Sequence, residues 1–91
     1  MIAALLHRTA EIEFRGETVW VRRPTVADLV AAVDAQARGT FMPAWFVHAH
    51  VLKGDGLAFK SVDEVMHLDG PAVVELSRKI EEFYAEGLDS R

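Results

Sequence analysis

Four histidines, His7, His48, His50 and His67, are the side chains of this sequence best suited to act as acid, base or metal ligand near neutral pH. His48 and His50 stand two apart in a segment flanked by helix signals, and helical residues at that spacing point about 200° apart, so the pair cannot share a metal ion. His7 falls in the N-terminal stretch, and His67 ends a short helix. The chain has no cysteine and no H-E-x-x-H pattern, which removes thiolate zinc sites and disulfides. Buried or edge histidines are the reading that remains. Nucleophilic catalysis needs a hydroxyl or amine beside a base in a cleft, but Ser61, Ser77 and Ser90 read as a helix cap, a helix position and a tail. Gly54-Asp55-Gly56 is a turn, because Leu57, Ala58 and Phe59 stand where a calcium loop would place oxygen ligands. Neither G-x-x-x-x-G-K-[ST] nor G-x-G-x-x-G occurs. The carboxylates lie on helix faces, where solvation is the default. The expectation is a protein that is not an enzyme and takes no metal or cofactor; the enzymatic rival is a site shared between subunits and using His48 or His50.

The elements that would position any site follow from hydrophobic periodicity. The 91 residues, 51% hydrophobic and 26% charged, suit a single folded domain over 1–91 rather than a disordered chain. Residues 1–10 read as an N-terminal arm or edge strand. Residues 11–22, EIEFRGETVWVR, alternate apolar and polar about Arg15-Gly16, which predicts a β-hairpin pairing Phe14 with Glu17 and Ile12 with Val19. Ile12, Phe14, Val19 and Val21 share one face; Thr18, Trp20 and Arg22 share the other. Thr25 and Asp28 form a capping box with Asp in place of Glu, opening a helix over about 25–38 that Gly39 stops. Val26, Leu29, Val30, Val33 and Ala37 make its apolar stripe, expected to face inward, while Asp28, Ala31, Asp34 and Arg38 face away.

The next segment, Phe41 to Leu52, has apolar residues on every side. With Pro43 in its first turn it predicts a helix over about 43–53, and a helix apolar all round must be buried all round. A domain this small hides only about 60 to 65% of its unfolded surface. Trp45 to Leu52 are therefore expected to form the central pillar, and the leading end to be covered by another chain. Ser61 and Glu64 cap a short helix over about 62–67, with Val62, Val65 and Met66 inward. Asp69-Gly70-Pro71 opens the last helix, about 71–86, buried through Val73, Leu76, Ile80, Phe83 and Tyr84 and stopped at Gly87. Its outer face carries Glu75 with Lys79 and Arg78 with Glu82 at i, i+4. The fold class is α+β: a hairpin followed by four helices.

Charge narrows the partners. The net charge of −4 argues against nucleic acid. Residues 1–45 carry five basic and five acidic side chains and residues 46–91 five and nine, so the excess acid lies in the second half. A basic or polar partner surface fits better than a polyanion. No stretch reaches the length of a membrane helix, and the expectation is a soluble protein with no membrane partner.

The order of elements carries a further signal. A second hairpin strand running directly into Glu17-Thr18-Val19-Trp20-Val21-Arg22-Arg23-Pro24-Thr25-Val26-Ala27-Asp28-Leu29 resembles the small tail assembly chaperones of tailed phages and prophages. The glycine-rich turn, phenylalanine and Ser-capped helix of Gly54 to Met66 are similar to that family, as is the turn and helix of Leu68 to Phe83. The resemblance spans roughly residues 11 to 84; the chain departs from many members in its shortness and its density of aromatics from Phe41 to Phe46. It implies a noncatalytic role in the cytoplasm of a bacterial host. Such a protein binds the tape measure protein, and tail tube subunits, and keeps apolar helical segments soluble until the tube polymerises. Trp20, Phe41, Met42, Trp45 and Phe46 exceed what one helical stripe requires and are the expected partner-facing residues. The alternative is a homo-oligomeric adaptor or regulator whose surplus apolar surface is its own interface.

Overall fold

The computed structural model describes residues 9–54 and 56–89. Strand β1 (Thr9–Phe14) and strand β2 (Glu17–Arg22) form the antiparallel hairpin, and Phe14 pairs with Glu17 and Ile12 with Val19. The reversal at Arg15 (φ 52°) and Gly16 (φ 82°) has the two positive φ values of a type I′ turn. Arg15, a non-glycine in that conformation, is held on both sides: its guanidinium lies 5.3 Å from the Phe14 ring centre and 3.0 Å from Glu75 Oε1. That ion pair takes Glu75, expected to pair with Lys79, to the hairpin tip instead. Residues 1–8, most of the expected arm, lie outside the described residues.

Helix α1 (Val26–Ala37) begins at the Thr25 capping box, complete in both directions. It ends in a Schellman motif, with Thr40 N–H on the Ala35 carbonyl, Gly39 N–H on Gln36, and Gly39 at φ 81°. Helix α2 (Met42–His50) follows with Pro43 in its first turn. It is shorter than the predicted 43–53. Val51 turns extended and bridges to Val21 of β2, and its carbonyl accepts from Ala58 N–H at 2.9 Å. Strand β3 (Leu52–Lys53) then pairs with β4 (Gly56–Leu57). Pairing with β2, with β4 and with Ala58 gives these backbone groups the partners that another helical turn would have supplied.

Helix α3 (Val62–Met66) is capped by Ser61 Oγ, which accepts from Glu64 N–H. Val65 is buried, but Met66, expected inward, is exposed. Helix α4 (Gly70–Asp89) runs through Gly87 rather than stopping there; one glycine costs a helix only about 1 kcal/mol relative to alanine. Its stripe packs as its periodicity requires, with Val73, Leu76 and Ile80 buried and Phe83 and Tyr84 half-buried.

The core joins Ile12 and Val21 of the hairpin to Ala44, Phe46 and Val47 of α2, Val65 of α3, and the α4 stripe. Helix α2 is its axis: every side chain from Met42 to Val51 is buried or half-buried. No helix among the described residues is long and apolar enough to cross a membrane.

Candidate functional site

One helix sits the opposite way round from its periodicity. In α1 the residues turned into the protein are Asp28 and Ala35, with Ala32 half-buried. Val26, Val30 and Val33 are 76%, 65% and 70% exposed, and Leu29 and Ala37 are also exposed. The expected inward stripe faces solvent.

The cause is a polar node that fixes the rotation of α1 about its axis. Arg22, at the end of β2, holds Asp28 with two parallel hydrogen bonds, Nη1 to Oδ2 at 2.6 Å and Nη2 to Oδ1 at 2.8 Å. Thr25 N–H donates to the same Oδ2 at 2.8 Å. With Asp28 inward and a turn of about 100° per residue, Ala32 and Ala35 fall on the same side. Val26, Val30, Val33 and Ala37 then fall within about 40° of the opposite direction.

The node extends to the other helices. Arg22 Nε donates to the Ala49 carbonyl at 2.8 Å, satisfying one of the open carbonyls at the end of α2. The Arg22 carbonyl accepts from His50 Nδ1 at 2.9 Å, which leaves His50 Nε2 to the Tyr84 hydroxyl of α4. Phe46 closes the apolar side, its ring edge-to-face with Tyr84 at 5.0 Å. Burial pushes the Asp28 carboxyl up, but hydrogen bonds from Arg22 and Thr25 outweigh it and bring the pKa down to about 2. The hydrogen bond to Asp28 in turn raises Arg22. Burial raises Tyr84 well above its ordinary value. His50 is 0% exposed. The node joins four elements and presents no histidine to solvent.

The expected partner residues separate. Trp20 is 50% exposed on the outer hairpin face and lines a shallow groove with Leu52 and Lys53. Phe41 is 51% exposed at the start of α2. Met42 and Trp45 are half-buried against the core, with Trp45 edge-to-face on Phe46 at 5.4 Å. Phe46 is 8% exposed, a core residue rather than a partner-facing one; the pillar needs it to fill the space beside Tyr84. His48 and His50 part as their spacing requires, His48 toward the Phe59 carbonyl and His50 into the node. Among the described residues no three His, Asp or Glu side chains converge as metal ligands. Val26, Leu29, Val30 and Val33 were missed as surface residues. The available signal was Arg22 six residues before an Asp in the first turn, a pair able to claim the polar side of the helix.

No known protein family, curated protein or solved structure matches this chain.

Proposed function

We propose that this protein is a noncatalytic assembly chaperone of a phage, prophage or phage-like particle, which holds apolar helical segments of the tape measure protein before the tail tube polymerises. The observation that carries this reading is the outward stripe of α1. A row of valines along an exposed helix is the complement of an amphipathic client helix laid against it, and contiguous exposed apolar surface of this kind marks interaction sites. The resemblance of Glu17 to Leu29 and of Gly54 to Met66 supplies the client; tail tube subunits are a further partner, and the cytoplasm of the bacterial host is the place of action. Size exclusion with light scattering tests it. A helical tape measure fragment is expected to co-elute with the wild-type protein and to be lost from Val30→Asp/Val33→Asp. No complex with the wild type, or an unchanged complex with the double variant, refutes the reading.

One observation favours a second reading, a homo-oligomeric adaptor. Val26, Val30, Val33 and Ala37 are spaced 4, 3 and 4, the same in both chain directions, so the stripe meets an antiparallel copy of itself in register about a two-fold axis. Stability that rises with protein concentration in the absence of any client distinguishes this reading.

A further inference from the structure

A cavity of about 160 Å³ opens between the start of α2, helix α3 and the start of α4. Buried Ala44, Val65 and Val73 line it, together with Phe41, Met66 and Leu68, which are exposed. The pocket and its rim are thus both apolar, and the opening faces solvent.

On its α3 and α3–α4 side the neighbouring carboxylates are all of one sign. Asp69 stands between Leu68 and Gly70, both lining residues. Asp63 precedes Met66 by one helical turn, with Glu64 next to it. All three acids are exposed. None is paired with a lysine or arginine among the described residues, and no Lys or Arg occurs between Lys60 and Arg78. His67, at the same margin, has its Nδ1 hydrogen-bonded to the Asp63 carbonyl. An apolar pocket alone would accept any greasy side chain. An acidic margin favours one followed by positive charge and repels one followed by carboxylates.

We propose that this pocket receives a single bulky apolar side chain, leucine or phenylalanine, from a partner helix whose adjacent exposed residues are Lys or Arg. The inference rests on the reading of the protein as a holder of helical segments and adds the chemistry of the segment. The pocket sets the anchor position; the acids set its neighbours.

The test uses two synthetic amphipathic helices, identical except that a central phenylalanine is flanked by lysines in one and glutamates in the other. Titration calorimetry is expected to show the lysine-flanked helix binding about tenfold more tightly at low salt, with the ratio shrinking as ionic strength rises. In Asp63→Asn/Glu64→Gln/Asp69→Asn, which keeps a capping side chain at position 69, the preference is expected to vanish while the thermal melt is retained. Chemical-shift changes are expected to centre on Met66 and Leu68. Equal affinities for the two helices, a preference that survives in the triple variant, or shift changes confined to α1 would each overturn the proposal. The two readings fail separately. A tape measure fragment bound through α1 with no charge preference at the pocket leaves the chaperone standing and removes the pocket. A lysine-flanked helix held at Met66 and Leu68 while tape measure fragments fail to bind does the reverse.

Discussion

Helices α1 and α2 are neighbours in the chain and solve the burial of apolar side chains in opposite ways. Helix α2 has no polar face, and the hairpin, α3 and α4 close around it until nothing from Met42 to Val51 is exposed. Helix α1 has a clean amphipathic division, yet the side it gives the protein is the one with the carboxylate. The difference lies in what each can bond. Burying Asp28 with a bidentate arginine and a backbone donor satisfies a charge, and the side of α1 opposite that charge must then point outward. An apolar stripe shows that a helix has two faces; a buried ion pair decides which one the protein keeps.

The largest expected effect breaks the pillar. Phe46→Ala empties the space between Trp45 and Tyr84, and urea unfolding is expected to show a loss of about 3 to 5 kcal/mol. A loss below about 1 kcal/mol would mean that Phe46 does not fill the core.

Next is the pin on α1. Asp28→Ala leaves Arg22 without its carboxylate and removes half of the capping box, and a loss of about 3 kcal/mol is expected. Hydrogen exchange sharpens the comparison, since amides of α1 should lose protection well before those of α2 in this variant.

Acid acts on the same pin. Asp28 has its pKa lowered to about 2 in the folded protein against an ordinary 3.8. Its stabilising contribution is therefore complete above about pH 4 and is lost as the pH falls through the folded value, amounting to about 2 kcal/mol. Unfolding measured from about pH 5 down to about pH 2 is expected to show this slope, and Asp28→Asn to flatten it. An unchanged slope in the variant would place the acid sensitivity elsewhere.

The smallest effect on stability is expected at the outward stripe. Val30→Ser and Val33→Ser touch no core residue and should shift stability by no more than about 0.5 kcal/mol, while weakening capture of a client helix. A large destabilisation would show that a second copy already covers this face.

Much of this arrangement is legible in the residues. Gly16 between alternating strands specifies the hairpin register, and the absence of a polar face on Phe41 to Leu52 identifies the pillar. Serine and threonine caps locate the starts of α1 and α3. What periodicity leaves open is rotation about a helix axis, because Arg22 and Asp28 meet only after the chain has turned at Pro24. The end of α2 is hidden for a similar reason: Val51 leaves the helix to pair with Val21, thirty residues earlier in the chain. His50 and Tyr84, 34 residues apart, carry no mark of each other in the sequence. For the expected surface, surplus aromatic content led to Phe41 and Trp20, which are exposed, and to Phe46, which the core needs.

The length of α1 has a consequence for stoichiometry. Twelve helical residues extend about 18 Å at 1.5 Å each, so one copy of this protein shields about that much of a helix lying along it. A client helix several times longer is covered only by several copies in a row. Under the proposed function, the number of chaperones bound would then measure the length of the client's apolar face.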